Sequence, residues 1–158
     1  MRIVTTLFLA LAGSAGAQEV VYRNVAIPKA DASAAGIEFM LPLADSLAAQ
    51  CIREAADERK LELNREERGV TYLGKTLPGV CDATRVPFVA PGSRPPTGPC
   101  VVSVRIEYRA GDGGTIFTIS GNGMMQMPGS DAFYGEWFHP RSKQWSMIRN
   151  LAKAIAER

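Results

Sequence analysis

Apolar and polar residues alternate without a break from Val102 to Arg109, which is the period of a strand with one buried face. Ala110–Gly114 follows and predicts a hairpin loop, because its glycines tolerate positive φ. Thr115–Ser120 is the predicted return strand, and the glycines of Gly121–Gly123 are expected to end it. A further short strand is predicted near Phe133–Phe138.

Two other segments have the apolar spacing of amphipathic helices. The first is predicted from Pro42, which suits a first helical turn, to Lys60. Its buried stripe is expected to contain Leu43, Leu47, Cys51 and Ala55, widened by Ala44, Ala48 and Ile52. The second helix follows Pro140 and Ser142. Its apolar face contains Trp145, Ile148, Leu151, Ala152 and Ile155.

The remaining elements are predicted from shorter patterns. Gln18–Ile27 predicts a first strand, and Leu61–Leu63 and Val70–Leu73 predict two short strands around a charged turn. Ile37–Leu41 is open to interpretation as a helical turn that is kinked at Pro42. The order of elements predicts an α+β fold, in which two amphipathic helices pack on one face of a small antiparallel sheet as a two-layer sandwich.

Two segments are predicted to lie outside this core. Residues 1–17 have the order of a cleavable signal peptide, with Arg2, the apolar stretch Ile3–Ala12 and small residues at Ala15–Ala17. Residues 78–99 hold six prolines, which exclude a helix or a central strand and predict a surface loop. Residues 18–158 are therefore expected to form a single α+β domain, which a bacterium exports to the periplasm or secretes.

Composition and net charge exclude several classes of function. Of the 158 residues, 46% are hydrophobic and 22% are charged, which suits a folded domain. Removing 17 residues from 158 leaves 141 and takes away Arg2 and no acid, so the formal charge falls from +2 to +1. A near-neutral domain is not expected to bind nucleic acid. No long apolar run follows the signal, so no membrane span is expected in the mature chain.

All three cysteines lie in the predicted mature chain, and an exported chain favours disulfides. Cys81 and Cys100 flank the proline-rich loop, and a bond between them would stabilise the fold by about 3 kcal/mol. Cys51 is then the odd cysteine, predicted to be a small buried hydrophobe. The main alternative pairs Cys51 with Cys81.

No sequence motif in the chain identifies a catalysed reaction. The chain has a single histidine, His139. A histidine that acts as a catalytic base accompanies a nucleophile motif, and the sequence contains no such motif. Glu107 and Glu136 are the carboxylates that a small cell-wall-active hydrolase would use, and this is one alternative function. We assign no catalytic residue and expect the chain not to be an enzyme.

A methionine cluster raises a second alternative, a periplasmic copper-binding protein. Met124, Met125 and Met127 offer thioether ligands that suit Cu(I), with His139 and Trp137 downstream. Methionine also fills irregular apolar gaps, and a second soft cluster is missing. The sequence therefore predicts packing or a partner surface for this cluster, and we assign no metal and no cofactor.

Two segments have the composition of contact surfaces. The proline-rich loop is expected to be extended and pre-ordered, so it would lose little entropy on binding, and Phe88 and Arg94 are its candidate contacts. The stretch from Met124 to Trp137 is rich in residue types that protein interfaces favour. Its candidate partner-binding residues are Met125, Met127, Phe133, Tyr134 and Trp137.

The part of the chain from Cys100 onward resembles the C-terminal periplasmic domain of the TolA/TonB group. VVSVRIEYRAGDGGTIFTISGNG is similar to the hairpin of that group, and SMIRNLAKAI is similar to its final helix. The apolar insert at Met124–His139 and the proline-rich loop depart from the group's pattern. The resemblance implies a protein-binding module of the envelope without catalysis. The sequence thus predicts an exported, non-enzymatic accessory protein whose partner is another envelope protein.

Mass spectrometry of the exported protein tests the processing and the disulfide together. We expect a chain that begins at Gln18 and weighs two hydrogen atoms less than its fully reduced form. Peptide mapping should join Cys81 to Cys100 and leave Cys51 open to alkylation. A chain that retains Met1, or a peptide that joins Cys51 to Cys81, would contradict these predictions.

Overall fold

The computed structural model describes residues 19–27, 34–78, 99–126, 133–142 and 144–158. Seven strands and two helices lie in these ranges. The strands are β1 (Arg23–Ala26), β2 (Ala35–Leu41), β3 (Glu62–Glu67), β4 (Val70–Leu77), β5 (Cys100–Gly111), β6 (Gly114–Gln126) and β7 (Phe133–Trp137). The helices are α1 (Asp45–Glu58), between β2 and β3, and α2 (Trp145–Ala156), after β7.

The strands form one antiparallel sheet in the order β1-β2-β6-β5-β4-β3, and β7 also pairs with β6. One edge of β6 pairs with β5 along nearly its whole length. The other edge pairs with β2 at residues 115–120 and with β7 at residues 122–126. β2 and β7 therefore share the same edge of β6, and this long strand is the common partner of β2, β5 and β7.

The hydrophobic core lies between one face of the sheet, here the inner face, and the two helices. α1 and α2 contact each other, and both contact the sheet, which places them on the same face. Buried side chains from both layers meet there: Ile37, Phe39, Ile52, Leu73, Ile106, Phe117, Ile148, Leu151 and Ile155. The predicted α+β fold, with two helices on one face of a small antiparallel sheet, is confirmed.

The interpretation of Ile37–Leu41 as a helical turn was wrong, because these residues belong to β2. Their side chains alternate, and Ile37, Phe39 and Leu41 are buried in the core. The ring of Phe39 stacks on Phe117 of β6, with 5.3 Å between the ring centroids. Pro42 follows the strand, and the helix begins only at Asp45.

The buried face of α1 differs from the predicted stripe. Ala48, Ile52, Ala55 and Ala56 are the buried residues of the helix. Leu47 is 50% exposed, and Cys51 is only half-buried. The helix thus turns its alanines toward the sheet, because small side chains let the two layers approach closely.

Gly121–Gly123 do not end the return strand, which continues as β6 to Gln126. A Cβ atom on Gly121 would lie 2.9 Å from Cδ2 of Phe138 and 3.3 Å from Cγ2 of Ile148. Glycine at this position therefore leaves room for the ring of Phe138 and for α2. Position 121 is a glycine because the packed side chains leave no space for a Cβ atom, and not because the strand ends there.

The other predicted elements are present with adjusted ends. The hairpin of β3 and β4 turns at Arg68 and at Gly69, whose φ of 77° favours glycine. β7 and α2 lie where they were predicted. The predicted signal peptide and most of the proline-rich loop fall on residues 1–18 and 79–98, which lie outside the described residues. None of the helices in the described ranges is long and apolar enough to cross a membrane.

We expect Gly121→Ala to destabilise the protein. The new methyl group would overlap the buried ring of Phe138, and overpacking of this kind costs about 1–3 kcal/mol. Gly135→Ala is the matched control in β7, since its Cβ would lie 3.6 Å from the nearest atom, an ordinary contact. Urea denaturation should give a lower midpoint for Gly121→Ala than for the control, and equal midpoints would contradict this packing.

Candidate functional site

The sheet has a second surface, here called the outer face, which is turned away from α1 and α2. Register and burial assign the following residues to it: Arg23, Glu38, Met40, Arg65, Glu67, Tyr72, Ser103, Arg105, Glu107, Ile116, Thr118, Asn122, Met124 and Trp137. Both helices in the described part of the chain pack on the inner face. The outer face is therefore the broadest candidate surface for a partner.

Three ion pairs organise the outer face. Arginine and glutamate lie two residues apart on one strand in Arg65–Glu67 and Arg105–Glu107, so both members point to the same side of the sheet. The third pair joins neighbouring strands through Arg23 and Glu38. Exposed pairs contribute little to stability, about 0–1 kcal/mol each. Their main effect here is to fix side-chain positions on a surface whose charges cancel.

The outer face also holds two buried polar atoms without a hydrogen-bond partner. They are Nε of Arg105, a donor, and Oδ1 of Asn122, an acceptor. Arg105 pairs across the strands with Ser120, and Asn122 pairs with Ser103, so the two residues occupy neighbouring rows of β5 and β6. Buried polar groups in folded proteins are normally paired. A donor and an acceptor thus lie unpaired and buried on adjacent strands.

An apolar groove of about 440 Å³ adjoins the outer face at one corner of the sheet. It is lined by Glu19, Val20, Val21, Met40, Pro42, Asp112 and Gly113. We call it the corner groove. Val21 is 77% exposed and Met40 is 42% exposed, so two large apolar side chains face solvent together. Exposed apolar surface with a polar rim, here Glu19 and Asp112, is typical of interaction sites.

The first described segment is attached to the core through Tyr22. Its ring lies 5.4 Å from the ring of Phe39, measured between centroids. Burial raises the pKa of the Tyr22 phenol, and the nearby carboxylate of Glu157 at the end of α2 raises it further. The neutral phenol is therefore the form that suits this contact.

A separate cavity of about 380 Å³ lies among the end of α1, strand β4 and the beginning of α2. Its lining residues are Arg59, Lys75, Leu77, Gln144, Ser146, Met147 and Asn150. We call it the interhelix cavity. Nζ of Lys75 donates to the carbonyl oxygen of Arg59 at 3.2 Å. Among the residues that the structure describes, this lining has two cationic side chains and no acidic one.

Of the predicted contact residues, the structure shows one to be buried and one to be half-buried, and it does not describe the side chains of the others. Met125 is 1% exposed in the core, which removes it from the candidate contacts. Trp137 is half-buried at the end of β7 and pairs with Asn122. Phe133 and Tyr134 belong to β7, but their side chains lie outside what the structure describes. The positions of Phe88, Arg94 and Met127 also lie outside the described residues.

The cysteines are partly described. Cys51 is a free, half-buried thiol in α1. Cys100 is 1% exposed at the start of β5, and Cys81 lies outside the described residues. The bond between Cys81 and Cys100 stays a prediction.

The residues of the two alternative functions are only partly described. Glu107 lies on the outer face and pairs with Arg105, whereas the side chain of Glu136 lies outside what the structure describes. Met124 and Met125 are consecutive in β6 and point to opposite faces, so one ion would not reach both sulfur atoms.

His139 lies in the turn before α2. Its Nδ1 accepts a hydrogen bond from the backbone N–H of Arg141 at 3.2 Å, and its carbonyl oxygen accepts one from the Ser142 hydroxyl at 2.9 Å. Within the described ranges, no group of three or more histidine, cysteine, aspartate or glutamate residues could hold a metal ion. Comparisons with protein-family models, curated proteins and solved structures found no match.

Sequence reasoning did not single out the main features of these surfaces. The arginine–x–glutamate spacing at Arg65–Glu67 and Arg105–Glu107 could have been recognised in the sequence, because residues two apart on a strand share a face. The interhelix cavity had no comparable signal. It combines residues from three elements that are distant along the chain.

We expect Tyr22→Phe to change the stability of the protein at alkaline pH. The folded-state pKa of Tyr22 lies above its ordinary value of 10.0, so its contribution is fully present below pH 10 and is lost as pH rises through the folded value. As pH rises past 10, the urea midpoint of the native protein should therefore fall further than that of the variant. Other titrating groups are common to both proteins. An equal fall would contradict the raised pKa.

Proposed function

We propose that the chain is an exported, non-enzymatic accessory protein of the bacterial cell envelope, which acts by binding another protein through the outer face. The observation that carries this proposal is the pair of buried polar atoms, Nε of Arg105 and Oδ1 of Asn122, on a surface that neither helix covers. An unpaired buried donor or acceptor is costly in a folded protein. Each atom has less than 1 Å² of exposed surface, so the Arg105 and Asn122 side chains turn outward when the carbonyl oxygen and the N–H of a partner backbone pair with them.

The ordered ion pairs support the same proposal. Arg105 is held beside Glu107, and the guanidinium of Arg65 lies 5.4 Å from the centroid of the Tyr72 ring. Side chains that are already positioned lose less entropy when a partner binds. Because the charges on this surface cancel, we expect recognition to depend on shape and hydrogen bonding more than on long-range attraction.

The corner groove adds apolar contact area beside these polar groups. Val21 and Met40 are exposed there, and Trp137 lies on the same face at its other end. Interfaces typically combine such an apolar region with a polar surround. The predicted signal peptide and the resemblance to the TolA/TonB group both favour an envelope partner, and the predicted disulfide suits the oxidising periplasm.

Site-specific photo-crosslinking in living cells tests the proposal. A photoreactive amino acid replaces Thr118 at the centre of the outer face, and the control replaces Gln50, which is exposed on α1. We expect one discrete adduct from position 118 and none of that mass from position 50. No adduct at position 118, or the same adducts at both positions, would overturn the proposal.

The crosslinked protein is then purified, and its affinity for two charge-reversal variants is measured. Arg105→Glu should weaken binding by about tenfold or more, since interface arginines often dominate the binding energy. Arg149→Glu, on the exposed side of α2, is the matched control and should bind like the native protein. Equal affinity of both variants would remove the outer face from the interface.

A further inference from the structure

The interhelix cavity has an excess of positive charge. Its described lining residues supply the Lys75 ammonium and the Arg59 guanidinium but no carboxylate. Among the described residues, Lys75 takes part in no ion pair, and its hydrogen bond to the carbonyl oxygen of Arg59 uses one of its three N–H donors. The ammonium therefore keeps donors for an anion.

The charge of Arg59 is only partly neutralised. Its Nη2 lies 3.3 Å from Oε1 of Glu58, outside the cavity lining. Oε2 of the same Glu58 carboxylate lies 2.5 Å from Nη2 of Arg158. One carboxylate is thus shared between two guanidinium groups, and the local charge stays positive.

The lining residues also include two buried polar atoms without a hydrogen-bond partner. Nε of Arg59 is a donor, and Oε1 of Gln144 is an acceptor. They belong to different elements, since Arg59 follows α1 and Gln144 precedes α2. Each atom has less than 1 Å² of exposed surface, so a ligand reaches it when the Arg59 or Gln144 side chain turns toward the cavity. A ligand that satisfies both atoms must present an acceptor and a donor at once.

From this combination we propose that the interhelix cavity binds a carboxylate that has an amide N–H beside it, the grouping at the C-terminal end of a peptide chain. The carboxylate pairs with Lys75 and Arg59, and the neighbouring N–H donates to Oε1 of Gln144. A fully ionised phosphate supplies no donor for Gln144, so it suits the cavity less well. Leu77 and Met147 supply apolar contacts for the adjoining side chain.

The volume agrees with a ligand of this size. At about 380 Å³, the cavity lies at the lower end of the range of small-molecule sites, about 300–1,000 Å³. This site stands independently of the outer face and of the proposed function. The same chemical grouping occurs in a free short peptide and at the end of a protein chain, and the experiment below separates these two sources.

Calorimetric titration of the purified exported protein tests the proposal with defined probes. N-acetyl-alanyl-alanine presents the carboxylate and the N–H, its C-terminal amide lacks the charge, and acetate lacks the N–H. We expect the acid to bind at least tenfold more tightly than the amide or acetate. Equal binding of the acid and its amide, or tighter binding of inorganic phosphate, would overturn the proposal.

Variants assign the two contacts separately. Lys75→Gln should weaken binding of the acid by tenfold or more, whereas Lys153→Gln on the exposed side of α2 is the matched control. Gln144→Leu should reduce binding of the acid toward that of acetate and leave acetate binding unchanged. Native affinity in both Lys75→Gln and Gln144→Leu would contradict the assignment.

Two further measurements complete the test. In the native protein, the acid should shift the NMR signals of the Ser146 and Asn150 backbone amides, which checks the location without any variant. Unshifted signals would place the site elsewhere and overturn the proposal. A ten-residue peptide that ends in the same two alanines separates the sources. Equal or tighter binding assigns the cavity to chain ends, and tenfold weaker binding assigns it to free short peptides.

Discussion

The pairing of β6 along both of its edges is the constraint on which the rest of the structure depends. Its edge toward β5 is occupied almost throughout, and the opposite edge is divided between β2 and β7. This division requires a strand that continues through Gly121, where a side chain would strike Phe138. If β6 ended before that glycine, β7 would lose its partner and α2 would lose part of the surface on which it packs.

The same strand determines how the two faces of the sheet differ. Phe117 and Ile119 point inward to the helices, whereas Thr118 points outward between Glu38 and Glu107. The alanines of α1 let that helix lie close to the inner face, so one helical layer is enough to bury the core. The outer face is thereby left with polar side chains, whose positions are fixed by pairing with one another.

Local periodicity predicted much of this fold, and packing decided the rest. The alternation at Val102–Arg109 and the apolar face of α2 could be predicted because each pattern is complete within one element. β2 was misassigned because its pattern is short and ends at Pro42, although Ile37 and Phe39 do alternate with Glu38. The role of Gly121 depends on Phe138, which only the folded chain brings into contact with it.

The candidate sites also divide into features that lie within one strand and features that only packing brings together. The arginine–x–glutamate spacing lies within single strands, so it could have been recognised from the sequence. The interhelix cavity could not, because Arg59, Lys75 and Gln144 are separated along the chain and acquire a common role only when α2 packs beside α1. Of the residues that composition alone suggested, Met125 packs in the core, because interface-type residues are also good core residues.

A formal charge near zero describes the whole chain but neither of its candidate surfaces. On the outer face, arginine and glutamate alternate closely enough to cancel within a few ångströms, so the field falls off rapidly with distance. In the interhelix cavity, Arg59 and Lys75 are brought together with no acid among the described lining residues, and these residues give a positive local charge. Two surfaces with different electrostatic character, one balanced and one positive, therefore coexist on a nearly neutral domain. The outer face is suited to a complementary protein surface at short range, and the cavity is suited to a single anionic group.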